Sequence, residues 1–483
     1  MIPLFVAIPL GMAFIIPMVS RKLTRAPDVL GNATMVCLTA LALASIGRTG
    51  IYHMGGWETP IGIDLRLDGL SVLLLIAVNV VGLAATLFSV DYMRLYTSKF
   101  RYYSLFLFMV AGMNGVVLTG DMFNLFVFME IASISSYALV AFGCEHEELE
   151  AAFKYTVLGS VASTFVLLAI AFMYGMTGTL NMAHVATKIA SEGMSTPLMF
   201  ALSLFLCGFG LKAALVPFHA WLPDAHPAAP APISAMLSGV LIKAIGVYVL
   251  ARLLFNVFGI TDNLLQLLRW AGVLSMVVGG LLAIGQWDIK RLFAYSSISQ
   301  VGYIVLGLGL GTPLGLVGGL YHLVNHSIFK SLLFLNAGAV EYATGERDMR
   351  KLGGLNKVMP LTGGTSLVGS MAIAGIPPFN GFWSKLIIVL ACVQSGHYAL
   401  AVTAVVMSLV TLSFQLKVQR YVFFGSVRAG LDRLQQIPGL MAAPMLILAV
   451  LCVGMAFLII TGMDTPLLIA PAADALAGGF FTL

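Results

Sequence analysis

Charge is what this chain has least of. Asp, Glu, Lys and Arg make up 10% of its 483 residues, against 59% hydrophobic ones, and the mean hydropathy is +0.97. That leaves too little polar surface to coat a water-soluble core, which excludes a soluble globular protein. Cysteine is also sparse. Cys37, Cys144, Cys207, Cys392 and Cys452 are scattered, mostly within apolar runs, and no C-x-x-C pair occurs. This speaks against iron-sulfur, zinc and disulfide frameworks. Nucleotide, flavin and metal-cluster motifs are missing too, so no cofactor and no electron transfer is expected of the chain itself. No charge precedes the apolar run that starts at Ile2, and no small-residue cleavage site precedes Arg21, Lys22 and Arg25, so the first helix is expected to be retained.

Long apolar runs are what the chain has in abundance. Scanning for stretches of about 20 residues predicts fourteen membrane spans, near residues 2–20, 30–47, 69–90, 102–119, 121–142, 154–176, 199–222, 232–256, 266–285, 291–311, 314–342, 360–395, 398–425 and 439–462. The net charge of +5 is no nucleic-acid signal, because the basic residues sort by loop. Of the 26 Lys and Arg, 16 follow odd-numbered spans, 5 follow even-numbered spans (Arg48, Arg66, Lys188, Arg252 and Arg269) and 5 lie inside spans. Cytoplasmic loops carry the excess, which places both termini outside. The expectation is an all-α polytopic protein of the cell inner membrane that contacts lipid and no nucleic acid. Outside the membrane, the alternation of Ile61, Ile63, Leu65 and Leu67 with polar residues predicts a short strand. Leu180–Ser191 predicts an amphipathic helix lying on the same outer face.

Prolines break the pattern in two corresponding places. Pro217, Pro223, Pro227, Pro230 and Pro232 interrupt the stretch between Lys212 and Lys243, and Gly375, Pro377, Pro378 and Gly381 interrupt the twelfth span. Pro217-Phe-His-Ala-Trp221 resembles Pro378-Phe-Asn-Gly-Phe-Trp383, 161 residues later. Lipid cannot replace the hydrogen bonds that such breaks remove, so protein or water must line them. Paired broken helices in two halves of a chain point to a transport site between inverted repeats.

Ionisable residues inside spans carry the same message. Glu130, Lys212, Lys243, Lys330 and Lys385 would together cost on the order of 15 kcal/mol if they faced lipid, at about 3 kcal/mol each. They must face one another or water. Glu130 is the one acidic residue near the centre of a span, and Lys212 is its natural partner, as a switchable pair in a proton relay or as a static tie between helices. Lys243 has no acid in its own span. It suits the centre of a relay, or its ammonium is fixed by backbone carbonyls of the broken helix. His322, His326 and Lys330 recur at i, i+4 and i+8 and so line one helical face, as a proton wire needs. H-x-x-x-H also suits a metal, but no Glu or Cys follows at ligand spacing, and purely structural histidines remain an alternative. Lys417 is close enough to a span end to snorkel. His219, Asp224 and His226 lie at the cytoplasmic side of the first break, where protons enter or broken helix ends are capped. In DIKRLFAYSSISQVGY, Asp288 opens a helix in which Ser296 and Ser299 can order water.

At these residues the chain resembles the antiporter-like subunits shared by respiratory complex I, the Mrp sodium/proton antiporters and membrane-bound hydrogenases. The motifs are MEIASISSY, LKAALVPFHAWLPDAHPAAP, LIKAIGVY, DIKRLFAYSSISQVGY, HLVNHSIFKSLLFLNAG and GIPPFNGFWSK, spread over roughly Asp64 to Phe424. MEIASISSYALVAF most resembles the D-type Mrp subunit and its counterparts in membrane-bound hydrogenase complexes. Lysine at position 385 differs from the complex I subunit that has glutamate there, and the chain ends too soon after span fourteen for the long lateral helix of the largest member.

The resemblance implies fourteen helices with two inverted five-helix repeats and breaks in helices 7 and 12. Residues 1–100 would then hold helices 1–3, 101–256 and 257–425 the two repeats, and 426–483 the last helix and tail. It also implies that Glu130 and Lys212 form the coupling pair, that Lys243 is the central relay lysine and that Lys385 is the terminal one. The expected function is translocation of H+, with or without exchange for Na+, as one subunit beside other membrane subunits of an Mrp, hydrogenase or complex I-like assembly. A stand-alone transporter of an organic solute and a non-conducting scaffold are the competing classes.

Overall fold

The structure, a computed structural model, describes residues 1–21, 23–431, 434, 436–462 and 465–478. Lys22 and Arg433, both counted toward loop charge, lie outside the described residues. With no water to satisfy backbone groups, apolar sequence in a bilayer winds into helices, and the chain follows that rule. In order these are α1 (Leu4–Ser20), α2 (Ala26–Leu43), α3 (Gly69–Tyr92), α4 (Lys99–Leu118), α5 (Met122–Val140), α6 (His146–Thr177), α7 (Met182–Glu192), α8 (Thr196–Lys212) and α9 (Leu222–Ala228). There follow α10 (Ala231–Phe258), α11 (Asp262–Ile284), α12 (Ile289–Gly309), α13 (Pro313–Thr344), α14 (Pro360–Ala374), α15 (Asn380–Gln394), α16 (Tyr398–Val418), α17 (Gly439–Ile460) and α18 (Ala470–Ala477). Several start on a side chain that accepts a free backbone N–H, as Asp68 does for α3, Asp121 for α5 and Asp288 for α12.

Each of the fourteen apolar runs falls on a helix or on a broken helix. Among the described residues, ten helices (α2–α6, α10–α12, α16 and α17) are long and apolar enough to cross a membrane. The 32-residue α13 is long enough but too polar for lipid, and every residue from Gly318 to Val340 is buried. It packs on α3, α10, α12, α14, α15 and α17. Helix α10 is buried along its whole length and is π-wound over Leu237–Leu241, Lys243–Tyr248 and Leu253–Phe258. These two helices are the interior of the molecule.

The outer pieces need small corrections. The strand is shorter than the alternation implied: β1 (Gly50–His53) pairs antiparallel with β2 (Asp64–Leu67), Tyr52 opposite Leu65, while Ile61 stands 85% exposed in the preceding turn. Helix α7 starts on its Asn181 cap and buries Met182, Val185, Ala186 and Ile189, one face of an amphipathic helix. Arg252, assigned to a loop, lies inside α10 and is 5% exposed. Its Nη2 is 2.6 Å from Asp68 Oδ1, and this ion pair is what lets a guanidinium sit in an apolar helix.

Both breaks are present. Helix α8 stops at Lys212 and the chain runs non-helically to Trp221, while α14 stops at Ala374 and α15 starts at Asn380. Each break contains a cis X–Pro bond, Val216–Pro217 and Pro377–Pro378. Gly375 has φ +79°, a conformation that favours glycine, and it ends α14.

Candidate functional site

The two breaks and the two interior helices bring most of the expected residues into one buried line. At one end, Lys212 Nζ is 3.8 Å from Glu130 Oε1, and its shorter bonds go to hydroxyls: Ser133 Oγ at 2.9 Å and Tyr137 Oη at 3.2 Å. Ser163 Oγ donates to Glu130 Oε1 at 2.5 Å. The ammonium and the carboxylate are thus each held by hydroxyls while close enough to pair directly. Tyr137 reaches Lys212 because residue 159 is glycine, where a Cβ would stand 1.9 Å from the phenol oxygen.

Helix α10 meets the first break where Gly246 lies against the backbone of Ala213. Lys243, fully buried, donates to the Ser238 carbonyl of its own helix. Ser238 Oγ is 2.6 Å from Ser297 Oγ, and beside it Ser296 Oγ accepts from Lys330 Nζ at 2.9 Å. Lys330 also lies over the Phe293 ring at 5.4 Å. Among the described residues no carboxylate is within ion-pair distance of Lys243, Lys330 or Lys385.

The spacing of His322, His326 and Lys330 puts the two imidazoles parallel, with centroids 6.3 Å apart and 10° between planes. His322 Nδ1 is 2.9 Å from Ser384 Oγ on α15. Both nitrogens of His326 are buried with no hydrogen-bond partner among the described residues, and the ring is within electrostatic reach of Lys243, Lys330 and Lys385. Lys385 closes the line. Its Nζ donates to Ile373 O at 2.8 Å and to Ser408 Oγ at 3.3 Å, and it lies 4.7 Å over the Tyr303 ring, which neighbours His322 at 5.5 Å.

The accessory residues divide. His226 is not at the surface with its sequence neighbours: it is fully buried between Trp221 and Phe334, both ring nitrogens lack a partner among the described residues, and Lys330 and Lys243 are within electrostatic reach. Asp224 instead pairs with Lys154 at 3.1 Å and Arg291 at 3.2 Å. Both flank a polar cavity of about 390 Å3, also lined by Glu147, Asp288 and Arg347. Burial raises the Asp288 carboxyl above its ordinary range, opposed by Arg347 at 3.3 Å and the Arg291 N–H. His219 is half-buried in the break, outside both groups. Ser299 donates to Met276 O of α11 and does not face the line. Lys417 caps the end of α11 through Ile284 O and Gln286 O, with Trp287 beneath it at 3.8 Å.

Sequence reasoning passed over two features here. Lys290, one of the 16 basic residues counted after odd-numbered spans, is 2% exposed and pairs with Glu341 at 2.6 Å. Tyr137 and Ser133 carried a readable signal, since they stand 7 and 3 residues after Glu130 and so on its helical face.

Fold and site together define a class: a polytopic helical membrane protein whose paired broken helices enclose a line of Glu, Lys and His. The chain belongs to the NADH:quinone oxidoreductase/Mrp antiporter family, whose transmembrane-region model matches residues 119–411. Residues 55–103 match the model for the N-terminus of chain 5 of NADH-ubiquinone oxidoreductase (complex I). The N-type subunit of the NADH-quinone oxidoreductase of Desulforudis audaxviator is 38% identical over 425 residues, 86% of this chain and 84% of the relative. The D-type component of the Na(+)/H(+) antiporter of Alkalihalophilus pseudofirmus is 35% identical over 430 residues, 88% and 86% of the two chains. Among solved structures, a chain of the Mrp complex from Dietzia superposes with TM-score 0.92 at 30% identity, over 99% of this chain and 97% of that one. A chain of the membrane-bound sulfane sulfur reductase, an archaeal respiratory membrane complex, gives 0.89 at 34% identity over the same shares.

Proposed function

We propose that the chain is the ion-translocating membrane subunit of a multi-subunit complex of the kind its relatives form, moving protons, with or without exchange for sodium, along Glu130, Lys212, Lys243, Lys330, His326, His322 and Lys385. The observation that carries this reading is the line itself. Four buried lysines and two buried histidines, several of them bonded to serine oxygens, follow one another across α8, α10, α13 and α15 from the Glu130–Lys212 pair. An organic-solute site gathers its polar groups at one spot, whereas these groups are strung out as a path. A static scaffold has no use for lysines held by neutral oxygens where leucine would pack.

In this reading the Glu130–Lys212 pair is the switch. When Lys212 turns from Glu130 to Ser133 and Tyr137, the carboxylate loses its counter-charge and takes a proton, and the return of Lys212 releases it. His226 joins the relay beside Lys243 and Lys330, and the cavity around Asp224 and Asp288 is the cytoplasmic approach. Energy enters through partner subunits. The chain crosses the plasma membrane fourteen times with both termini outside, and residues 101–256 and 257–425 form the inverted repeats between 1–100 and 426–483. The buried position of Arg252 supports that orientation, since it removes a basic residue from the sparsely charged side.

The test is ion transport by the assembled complex in sealed vesicles. Glu130→Gln is expected to reduce it by about 100-fold or more, the scale of losing a proton-transfer group. Full transport by a correctly assembled Glu130→Gln complex would refute the reading. Cysteines placed at Arg48 and Lys351 should react with impermeant thiol reagents from opposite sides, and labelling from the same side would refute the topology.

A further inference from the structure

Helices α14 and α17 pack side by side, and neither is capped by a side chain at its start. The first N–H groups of an uncapped helix keep their hydrogen-bonding capacity, and they carry the positive end of its dipole. Both starts border one cavity of about 240 Å3, lined by Pro360, Leu361 and Thr362 on one side and by Gln436, Ile437 and Ala442 on the other. Thr362 is fully buried, and its hydroxyl has no hydrogen-bond partner among the described residues. One turn on, Thr365 Oγ1 donates to Asn336 Oδ1 of α13 at 2.9 Å, and Asn336 Nδ2 is also unpartnered among the described residues. Exchanging N and O of that amide leaves the oxygen unpartnered instead.

An apolar groove of about 680 Å3 continues from this cavity between the same two helices, a volume within the roughly 300–1,000 Å3 of small-molecule sites. Pro360 and Leu361 border both spaces, and Gly364, Val368, Val450 and Gly454 line the groove. A Cβ at Gly364 or Gly454 would meet nothing within 4 Å, and Val450 is 62% exposed, so the groove opens to the apolar outer surface of the bundle. Near its polar end, Lys357 stands three residues before Pro360 and has no ion-pair partner among the described residues, while Glu346 and Asp348 of the same loop are taken by Lys351 and Arg350.

We infer that the space between α14 and α17 is a seat for one anionic glycerophospholipid, drawn from the leaflet on the side of Lys357. Its phosphate belongs at the two helix starts, its ester oxygens beside the Thr362 hydroxyl, and one acyl chain along the groove between Gly364 and Gly454. Two positive helix ends and an unpaired lysine favour an acidic head over a zwitterionic one. An apolar partner helix would fill the groove and leave the helix starts unmet, whereas a free phosphate would meet the starts and leave the groove unfilled. An amphiphile with an acidic head does both. The bound lipid braces α14 against α17, and so steadies the segment whose far end carries Ile373 and Gly375 at the second break. The seat stands whether or not the line of lysines conducts.

The test places the intact complex in vesicles holding phosphatidylglycerol with a photoreactive diazirine midway along one acyl chain, and maps the adducts by peptide mass spectrometry after irradiation. Adducts on Leu361–Val368 and Leu446–Gly454 are expected about tenfold above those on the exposed apolar face of α6 around Leu167, the ratio that a preference of ~1.4 kcal/mol gives. Gly364→Phe, which fills the groove from a position open to it, should bring that labelling down to the α6 level, and Gly454→Phe serves if Gly364→Phe does not assemble. Lys357→Gln should lower it about fivefold, the effect of losing one basic residue beside a membrane surface. Groove labelling no stronger than that of α6, as a partner helix covering the groove would produce, overturns the seat, and so does labelling that the glycine substitutions leave unchanged. Equal labelling by a phosphatidylcholine probe with the same chain overturns the acidic head. Excess inorganic phosphate should leave the adducts in place; their loss would show that a free anion holds the helix starts instead of a lipid.

Discussion

The two broken helices share a plan and differ in what occupies the end of the first segment. In the first, Trp221 folds back and its Nε1 donates to Leu211 O at 3.0 Å, satisfying a carbonyl at the end of α8 while its ring stacks on Tyr155 at 4.3 Å. In the second, the equivalent Trp383 leaves Nε1 without a partner among the described residues, and Lys385 takes the corresponding carbonyl, Ile373 O. The last carbonyls of a helix lack intrahelical donors and carry its negative dipole end, so either an indole N–H or an ammonium can fill the place. This accounts for the unequal lysine positions. Lys212, five residues before Pro217, is freed by Trp221 to reach across to α5, whereas Lys385, seven residues after Pro378, turns back onto the end of α14. One break thus presents its lysine to a carboxylate, the other to a helix end.

If that is the difference, removing the two lysines should not be equivalent. Lys212→Met leaves Glu130, three-quarters buried, without its cation. The expected loss is about 2–3 kcal/mol, below the ~3–5 of a fully buried pair because Glu130 keeps some solvent. Thermal unfolding of the purified complex measures it. Lys385→Met removes a donor from Ile373 O and Ser408 Oγ but strands no charge, and about 1 kcal/mol is expected. Both variants should stop transport. The contrast between the halves is wrong if Lys385→Met destabilises as much as Lys212→Met.

What was readable beforehand has a common cause. Glu130, the lysines and the His322–His326 pair stood out because a charge or imidazole in a long apolar run is costly unless it is used, and the breaks stood out because proline and glycine are rare within such runs. What was hidden depends on partners distant in sequence. Arg252 looked like the end of a span, since nothing local shows that Asp68, 184 residues earlier, neutralises it. His226 was grouped with Asp224 by adjacency, but α9 turns one inward and the other to the cavity. The contact of Ser370 on α14 with Gln415 and Gln419 on α16 and its extension was silent because isolated hydroxyls bond their own i−4 carbonyls, as Thr411 does to Met407 O, and cost a membrane helix little. The strand was overextended because alternation continues through the turn at Ile61, where no partner strand exists to pair with it.

The smallest effect gives the sharpest test of the paired breaks. Trp221→Phe keeps an aromatic face against Tyr155 but removes the indole donor to Leu211 O, which then keeps only its backbone bond from Ala214 N at 3.0 Å, in a site with Trp221 only 2% exposed. The expected cost is about 1 kcal/mol. Trp383→Phe removes an N–H that has no partner among the described residues, so its cost should be under about 0.5 kcal/mol and its sign open to favouring the variant, since the buried donor disappears with it. The two substitutions are chemically identical and sit four residues after Pro217 and five after Pro378 in the two breaks, so their difference in unfolding temperature reads the helix-end contact. Lys212 supplies a second readout. Without the indole, the vacated acceptor position of Leu211 O competes with Ser133 and Tyr137 for the neighbouring ammonium, so Trp221→Phe should slow transport where Trp383→Phe does not. Equal stability and equal transport in the two variants would show that the indole is packing in both halves, and that the position of Lys212 before its break needs another cause.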